Sequence, residues 1–159
     1  MTGPLRILFV CLGNICRSPT AEGVFRHLAA ESAPDLRVEV DSAGTSDYHI
    51  GAPPDARSQL AANRRGIDLS GLRARQIGPA DFARFDLILA MDRQNLRTLQ
   101  AIRPAGSKAP VKLFLEYAGQ PGPAEVPDPY LGDEADFEAV LDLVIEASGR
   151  LIALLKQRA

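Results

Sequence analysis

Cys11 and Arg17 are separated by Leu12, Gly13, Asn14, Ile15 and Cys16, and Ser18-Pro19 follows at once, in the stretch "FVCLGNICRSPTAEG". A thiolate is a strong nucleophile, and a guanidinium is a planar fork that grips two oxygens of a phosphate. The pair therefore suits attack on a bound oxyanion. Gly13 lets the backbone turn in where a side chain would block it, and Asn14 is among the few non-glycine residues that tolerate a left-handed conformation. The stretch lacks the Gly-Lys-Ser/Thr of a nucleotide-binding loop. Read alone, Cys11 would be a buried structural thiol ending a strand; the neighbouring Arg17, Gly13, Asn14 and Ser18-Pro19 favour the nucleophile instead. Two cysteines with His27 and His49 could in principle supply four metal ligands. The histidines are 22 positions apart, however, and His27 falls inside a helical pattern, so no metal and no other cofactor is expected.

A phosphoryl group leaving an oxygen needs a proton on the departing atom, so a carboxylic acid should stand near this loop. Of 20 acidic residues, Asp128 is singled out by its place between Pro127 and Pro129, which fix the local backbone. The same pattern makes an ordinary turn, and only the cysteine loop argues for more. A phenol, with a pKa of about 10, leaves far more readily than an alkyl alcohol, so aryl phosphates are the easier substrates.

The elements around these residues place them. "LRILFV", residues 5–10, reads as a strand buried on both faces. Ser18 is then a candidate N-cap with Pro19 in the first helical position of a helix to about Ser32. "LRVEVDSAG" alternates as a second strand and enters the loop "TSDYHIGAPP". Pro54 opens a helix that Gly66 closes, "GPADFARF" suggests a short helix, and "DLILAM" a third strand. Asp92 caps "RQNLRTLQAI", "PVKLFLEYAG" supplies a fourth strand, and a long amphipathic helix runs from about Glu134 to Lys156. The expected fold is thus α/β: a single-domain, three-layer sandwich over residues 1–159, with a four-stranded parallel sheet flanked by about five helices. In such sheets ligands sit beyond the carboxyl ends of the strands, where the strand order reverses, so the loop after the first strand is the expected site.

Composition narrows the function. A net charge of -2 with 24% charged residues gives no cationic face for nucleic acid or an anionic membrane surface, so any bound anion must be met locally. No window approaches the ~18 consecutive apolar residues of a membrane span. "RILFVCLG" is too short, and too soon followed by charge and proline, for a signal peptide. Two cysteines in one loop are no disulfide framework, which makes the cytoplasm the default location.

With these residues in place, the chain resembles the low-molecular-weight protein tyrosine phosphatases along nearly its whole length. "VCLGNICRSPTAEG" is similar to the family's phosphate loop and following helix, "DSAGTSDYHIG" to its second segment, and "DPYLGDEADFE" to its acid loop. The resemblance implies a cysteinyl-phosphate mechanism without metal. Cys11 attacks phosphorus, while Arg17 and the N–H groups of the loop from Leu12 through Gly13, Asn14, Ile15 and Cys16 to Ser18 hold the phosphate oxygens. Asp128 protonates the leaving phenolate and then serves as base toward water. It further implies that Ser18 hydrogen-bonds the thiolate, that Asn14 and Ser42 brace the loop, and that Cys16 can trap oxidised Cys11 as a disulfide. Tyr48 and Tyr130 would wall the cleft beside Ile15. The chain departs from many members at Leu131, where a second tyrosine is common, and at Leu72, where animal members often carry histidine. The implied partners are phosphotyrosine proteins or small aryl phosphates, with inorganic phosphate as product. A monomer is expected, with a weak dimer as the alternative.

Other activities use related residues. Arginine phosphatases on the same scaffold typically have threonine where this chain has Ile15, whose apolar wall suits a phenyl ring. Arsenate reductases need a downstream redox cysteine, and none follows Cys16. A phosphate-binding or phosphocarrier module would have no need of Asp128.

Overall fold

A computed structural model describes residues 3–159. Its elements are β1 (Leu5–Cys11), α1 (Arg17–Ser32), β2 (Val38–Gly44), α2 (Ala56–Asn63), α3 (Asp81–Arg84), β3 (Leu87–Ala90), α4 (Arg93–Ile102), β4 (Val111–Leu113), α5 (Phe114–Tyr117) and α6 (Glu134–Arg158). The strands form one parallel sheet in the order β2-β1-β3-β4. From β1 the chain crosses through α1 to β2 on one side, and β3 lies on the other. The loop after β1 is therefore at the point where the winding reverses.

β1 is apolar throughout its inner part because both its faces are covered. Ile7, Phe9 and Cys11 point into a core built with α1 and α6, while Leu8 and Val10 point into a second core with Phe82, Ile88 and Leu99. Phe9 packs edge-on against Phe114 at 5.1 Å between ring centroids and tilts against Phe25 at 6.0 Å. This packing holds the strand whose end carries Cys11.

The structure differs from the sequence reading in three places. "PVKLFLEYAG" is a strand only over Val111–Leu113; Phe114–Tyr117 turns into a short sixth helix, which puts Phe114 and Leu115 into the core beneath β1. α1 begins at Arg17, so Ser18 lies in its first turn and is not the cap. Pro19 still removes no helical hydrogen bond, because the first N–H groups of a helix have no partner within it. The cap of α2 is Asp55, the residue after Pro54, whose side chain accepts from the Arg57 N–H. Gly66 does close that helix, at φ +77°.

Candidate active site

The loop from Leu12 to Cys16 is held from behind by its own carbonyls. Thr45 N–H donates to the Cys11 carbonyl at 2.9 Å, Ser46 N–H to Leu12 at 3.0 Å and Asp55 N–H to Ile15 at 2.8 Å. Thr20 Oγ1 donates to the Cys16 carbonyl at 2.6 Å. A trans peptide points its N–H opposite to its C=O, and no described peptide bond is cis. The N–H groups of Leu12, Gly13, Cys16 and Arg17 are therefore turned away from these anchors, and those four residues line a cleft of about 170 Å³. Together with the N-terminus of α1, this makes a cradle for an anion.

Asn14 carries the sharpest bend. It is the only non-glycine residue with positive φ among those described, at +58°. Its side chain explains why this is tolerated: Nδ2 donates to Ser18 Oγ at 2.7 Å and to Ser42 Oγ at 3.0 Å, and Oδ1 accepts from the Arg75 N–H at 2.9 Å. Ser42 donates onward to buried Glu22 at 2.7 Å. Leu72 packs, partly buried, against the core cluster beneath β1 and makes no hydrogen bond to the loop, whose Asn14 is supported instead by the Arg75 backbone N–H. Gly44 closes the arrangement. A Cβ there would stand 2.7 Å from the Leu12 carbonyl, so β2 can approach the loop only without a side chain.

Cys11 is buried, with Sγ 3.0 Å from Ser18 Oγ and accepting from the Asn14 N–H at 3.3 Å. Asn14 Nδ2 donates to Ser18 Oγ, which leaves the serine proton to sulfur at 3.0 Å or to the Ala43 carbonyl at 3.4 Å. Ser18 is thus a partner of the thiol, and its hydroxyl is unavailable as a helix cap. Cys16 faces different surroundings. Burial, and after it the negative groups Asp55, Cys11 and Asp128, push its thiol up to about 12, so it stays protonated at neutral pH.

Arg17 is almost fully buried at the cleft floor. Burial works against its charge, but Cys11, Asp92 and Asp128 outweigh that and hold it further into the cationic state. Nη1 donates to Asp92 at 2.6 Å and to the Val126 carbonyl at 3.1 Å, which fixes the guanidinium plane. Nη2 is 3.6 Å from Asp128 Oδ2. Asp128 is itself half-exposed and accepts from the Tyr130 N–H at 3.1 Å. The nucleophile candidate, the phosphate-gripping candidate and the acid candidate thus line one cleft.

Ile15, Tyr48 and Tyr130 line that cleft as well, whereas Asn14, Ser18 and Ser42 stand behind the loop. Two residues with a place in the site were not singled out from the sequence. Asp92 reads there as the cap of α4, which it is, but it also holds Arg17. His49 reads as a loop residue, yet it lines the cleft with its ring 6.1 Å from that of Tyr130. His27 remains on the surface of α1 beside Glu31.

Asp92 carries a testable consequence. Asp92→Asn keeps an acceptor for the Asn95 N–H but loses the charge opposite Arg17, while Asp92→Ala loses both. We expect kcat/KM to fall roughly tenfold to a hundredfold in each, since small misplacements of a positioning group are that expensive. Both should lose stability because buried Arg17 is left without this counter-charge, and the alanine variant should lose about 1 kcal/mol more with its cap. Steady-state kinetics beside thermal unfolding separates the two effects.

The family model for low molecular weight phosphotyrosine protein phosphatases matches residues 6–159. A human protein named low molecular weight phosphotyrosine protein phosphatase is 48% identical over 137 residues, covering 84% of this chain and 85% of that one. The Bacillus subtilis low molecular weight protein-tyrosine-phosphatase YfkJ is 39% identical over 153 residues, covering 96% of this chain and 97% of its own. The crystal structure of YfkJ superposes with a TM-score of 0.90, at 38% identity and covering 99% and 98% of the two chains. A crystal structure of a Drosophila arginine phosphatase is also similar, with a TM-score of 0.86 at 32% identity over 96% and 98% of the chains.

Proposed function

We propose, for a chain that belongs to the low molecular weight phosphotyrosine protein phosphatase family, that it hydrolyses phosphotyrosine and other aryl phosphate monoesters by way of a phosphorylated Cys11. The observation that carries this reading is the convergence of Cys11, Arg17 and Asp128 on one cleft with an inward-facing peptide loop. The phosphate lies in the loop with two oxygens on Arg17, and the ring lies between Ile15, Tyr48 and Tyr130. The Cys11 thiolate attacks phosphorus, an S–P bond forms and the P–O bond to the ring breaks. Asp128 gives its proton to the departing phenolate oxygen. Water then gives a proton to the Asp128 carboxylate and attacks phosphorus, and the S–P bond breaks. The electron pair returns to sulfur, where the Ser18 hydroxyl and the Asn14 N–H receive it. Charge at the phosphoryl oxygens is met by donors fixed in advance, the usual source of the largest rate contribution.

Arginine phosphatase is the second reading, because a structure of that name shares the fold. Ile15 argues against it. The side chain is buried in the cleft wall with no hydroxyl to meet a guanidinium, and leaving polar groups of a substrate unpaired costs heavily. Cys16 is the candidate partner for a Cys11 sulfenic acid: its thiol, protonated at rest, gives up its proton as it attacks the Cys11 sulfur, the S–S bond forms and the sulfenic oxygen leaves as water. We take residues 1–159 as one catalytic domain working in a reducing compartment, where Cys11 stays a free thiol. No helix among the described residues is long and apolar enough to cross a membrane.

The test is a metal-free rate comparison at mildly acidic to neutral pH on phosphotyrosine, phosphoserine and phosphoarginine substrates, with Cys11→Ser as blank. Release from phosphotyrosine alone is expected. Preference for phosphoarginine would overturn the assignment of Ile15, and silence on all three would leave a binding module.

A further inference from the structure

The cleft opens between two tight turns. Ala52 N–H donates to the His49 carbonyl at 2.8 Å, closing a turn with Ile50 and Gly51 at its centre, Gly51 at φ +84°. Gly132 N–H donates to the Pro129 carbonyl at 2.8 Å, closing another around Tyr130 and Leu131. The His49–Tyr130 ring contact ties the two turns together across the cleft. Turn centres usually carry small or polar residues, yet here each presents a bare aliphatic: Ile50 is 60% exposed and Leu131 96%.

A single exposed leucine needs no explanation, but a cluster does. Of the seven large apolar residues exposed among those described, Leu12, Tyr48, Ile50, Tyr130 and Leu131 lie on or next to the cleft lining, and only Leu60 and Ile102 lie elsewhere. The charges around this rim are acidic where they are accessible. Asp47, Asp128 and Asp133 are exposed beside it. The nearby cations are engaged. Arg17 is at the floor; Arg57 donates to Asp55 and to the Tyr130 and Gly132 carbonyls while lying over the Phe137 ring at 4.4 Å. Arg73, in the segment joined to this turn through the Gly51–Ala74 hydrogen bond, donates to the Ser70 and Leu72 carbonyls.

We propose that Ile50 and Leu131 form an aliphatic rim that selects phosphotyrosines flanked by apolar residues and rejects those flanked by acidic ones. The inference rests on the phosphotyrosine phosphatase reading and deepens it. The occupant is a segment of a phosphoprotein, because the rim is continuous with the cleft that takes the phosphoryl ring. Aliphatic flanks would cover Ile50 and Leu131, removing apolar surface from water on both partners. Acidic flanks would bring charge toward Asp47 and Asp133, and the guanidinium packed on the Tyr130 turn, Arg57, is already paired with Asp55.

The experiment compares peptides of equal length in which phosphotyrosine is flanked on both sides by leucine, alanine or glutamate, with p-nitrophenyl phosphate as the substrate without flanks. Leucine flanks should exceed alanine, and glutamate should fall roughly tenfold below leucine in kcat/KM, the low end for apolar discrimination because the rim is open. In the double variant Ile50→Ser/Leu131→Ser the leucine advantage over alanine should vanish, with p-nitrophenyl phosphate turnover unchanged. Leu131→Lys should raise the glutamate peptide. Equal rates on leucine and alanine peptides, or an unchanged ranking in the double variant, would overturn the rim. So would specific activity that falls with enzyme concentration and recovers in the double variant, since a second copy would then be its occupant. Failure on every phosphotyrosine peptide, including the alanine one, would instead strike the phosphatase reading itself.

Discussion

Cys11→Ser should abolish turnover, with kcat lowered by about 10⁴-fold or more, while the affinity for inorganic phosphate is kept. A serine hydroxyl fits the space of the thiol and can keep the contacts to Ser18 and the Asn14 N–H. Neither contact at that position, the Ser18 hydroxyl or the Asn14 N–H, is a base that would deprotonate it, and Cys16, the other thiol of the cleft, stays protonated. The anion cradle does not depend on sulfur. Its N–H groups are oriented by carbonyl anchors on Thr45, Ser46 and Asp55, and Arg17 is oriented by Asp92 and Val126. Loss of activity with phosphate binding retained, read by titration of the variant with phosphate, distinguishes a missing nucleophile from a collapsed loop. If the variant loses both, the loop has collapsed and the cradle argument fails.

Asp128→Asn should lower kcat on phosphotyrosine by about 10² to 10⁴-fold, the usual worth of a positioned general acid. The asparagine keeps the acceptor for the Tyr130 N–H, so the acid loop stays in place and only the proton is lost. The loss should shrink for a nitrophenyl phosphate, whose phenol is more acidic than tyrosine and leaves without help. A series of aryl phosphates of graded leaving-group acidity shows this as a steep dependence in the variant and a shallow one in the parent. Equal losses across the series would mean that Asp128 acts on binding or on the water step, and its role as acid would have to be given up.

The parts legible in the sequence were those where one local pattern has one physical meaning. β1 is a continuous apolar run that only a two-sided buried strand explains, and the Gly-Asn turn followed by Ser-Pro marks the passage into α1. The four parallel strands follow from alternating elements. The run "PVKLFLEYAG" failed because a short apolar stretch serves a strand or a buried helical turn equally well, and the core under β1 decided for Phe114. Ser18 failed as a cap because its hydroxyl has a better partner in Cys11, seven residues back, which no capping rule weighs. Asp92 was legible in half. Its cap on α4 is local, but its pairing with Arg17 spans 75 positions, and no spacing in the sequence announces it. His49 enters the cleft lining through the same turn that exposes Ile50, a placement set by backbone hydrogen bonds rather than by residue type.

Turnover depends on a bond between phosphorus and one sulfur. Stopping turnover of an aryl phosphate within milliseconds and mapping the phosphoryl group by mass spectrometry tests it directly. A phosphoryl group is expected on the peptide containing Cys11, absent from Cys11→Ser, formed with a stoichiometric burst of phenol before steady release. A phosphoryl group on any other side chain, or phenol release with no burst and no phosphoryl enzyme at any time, would contradict it.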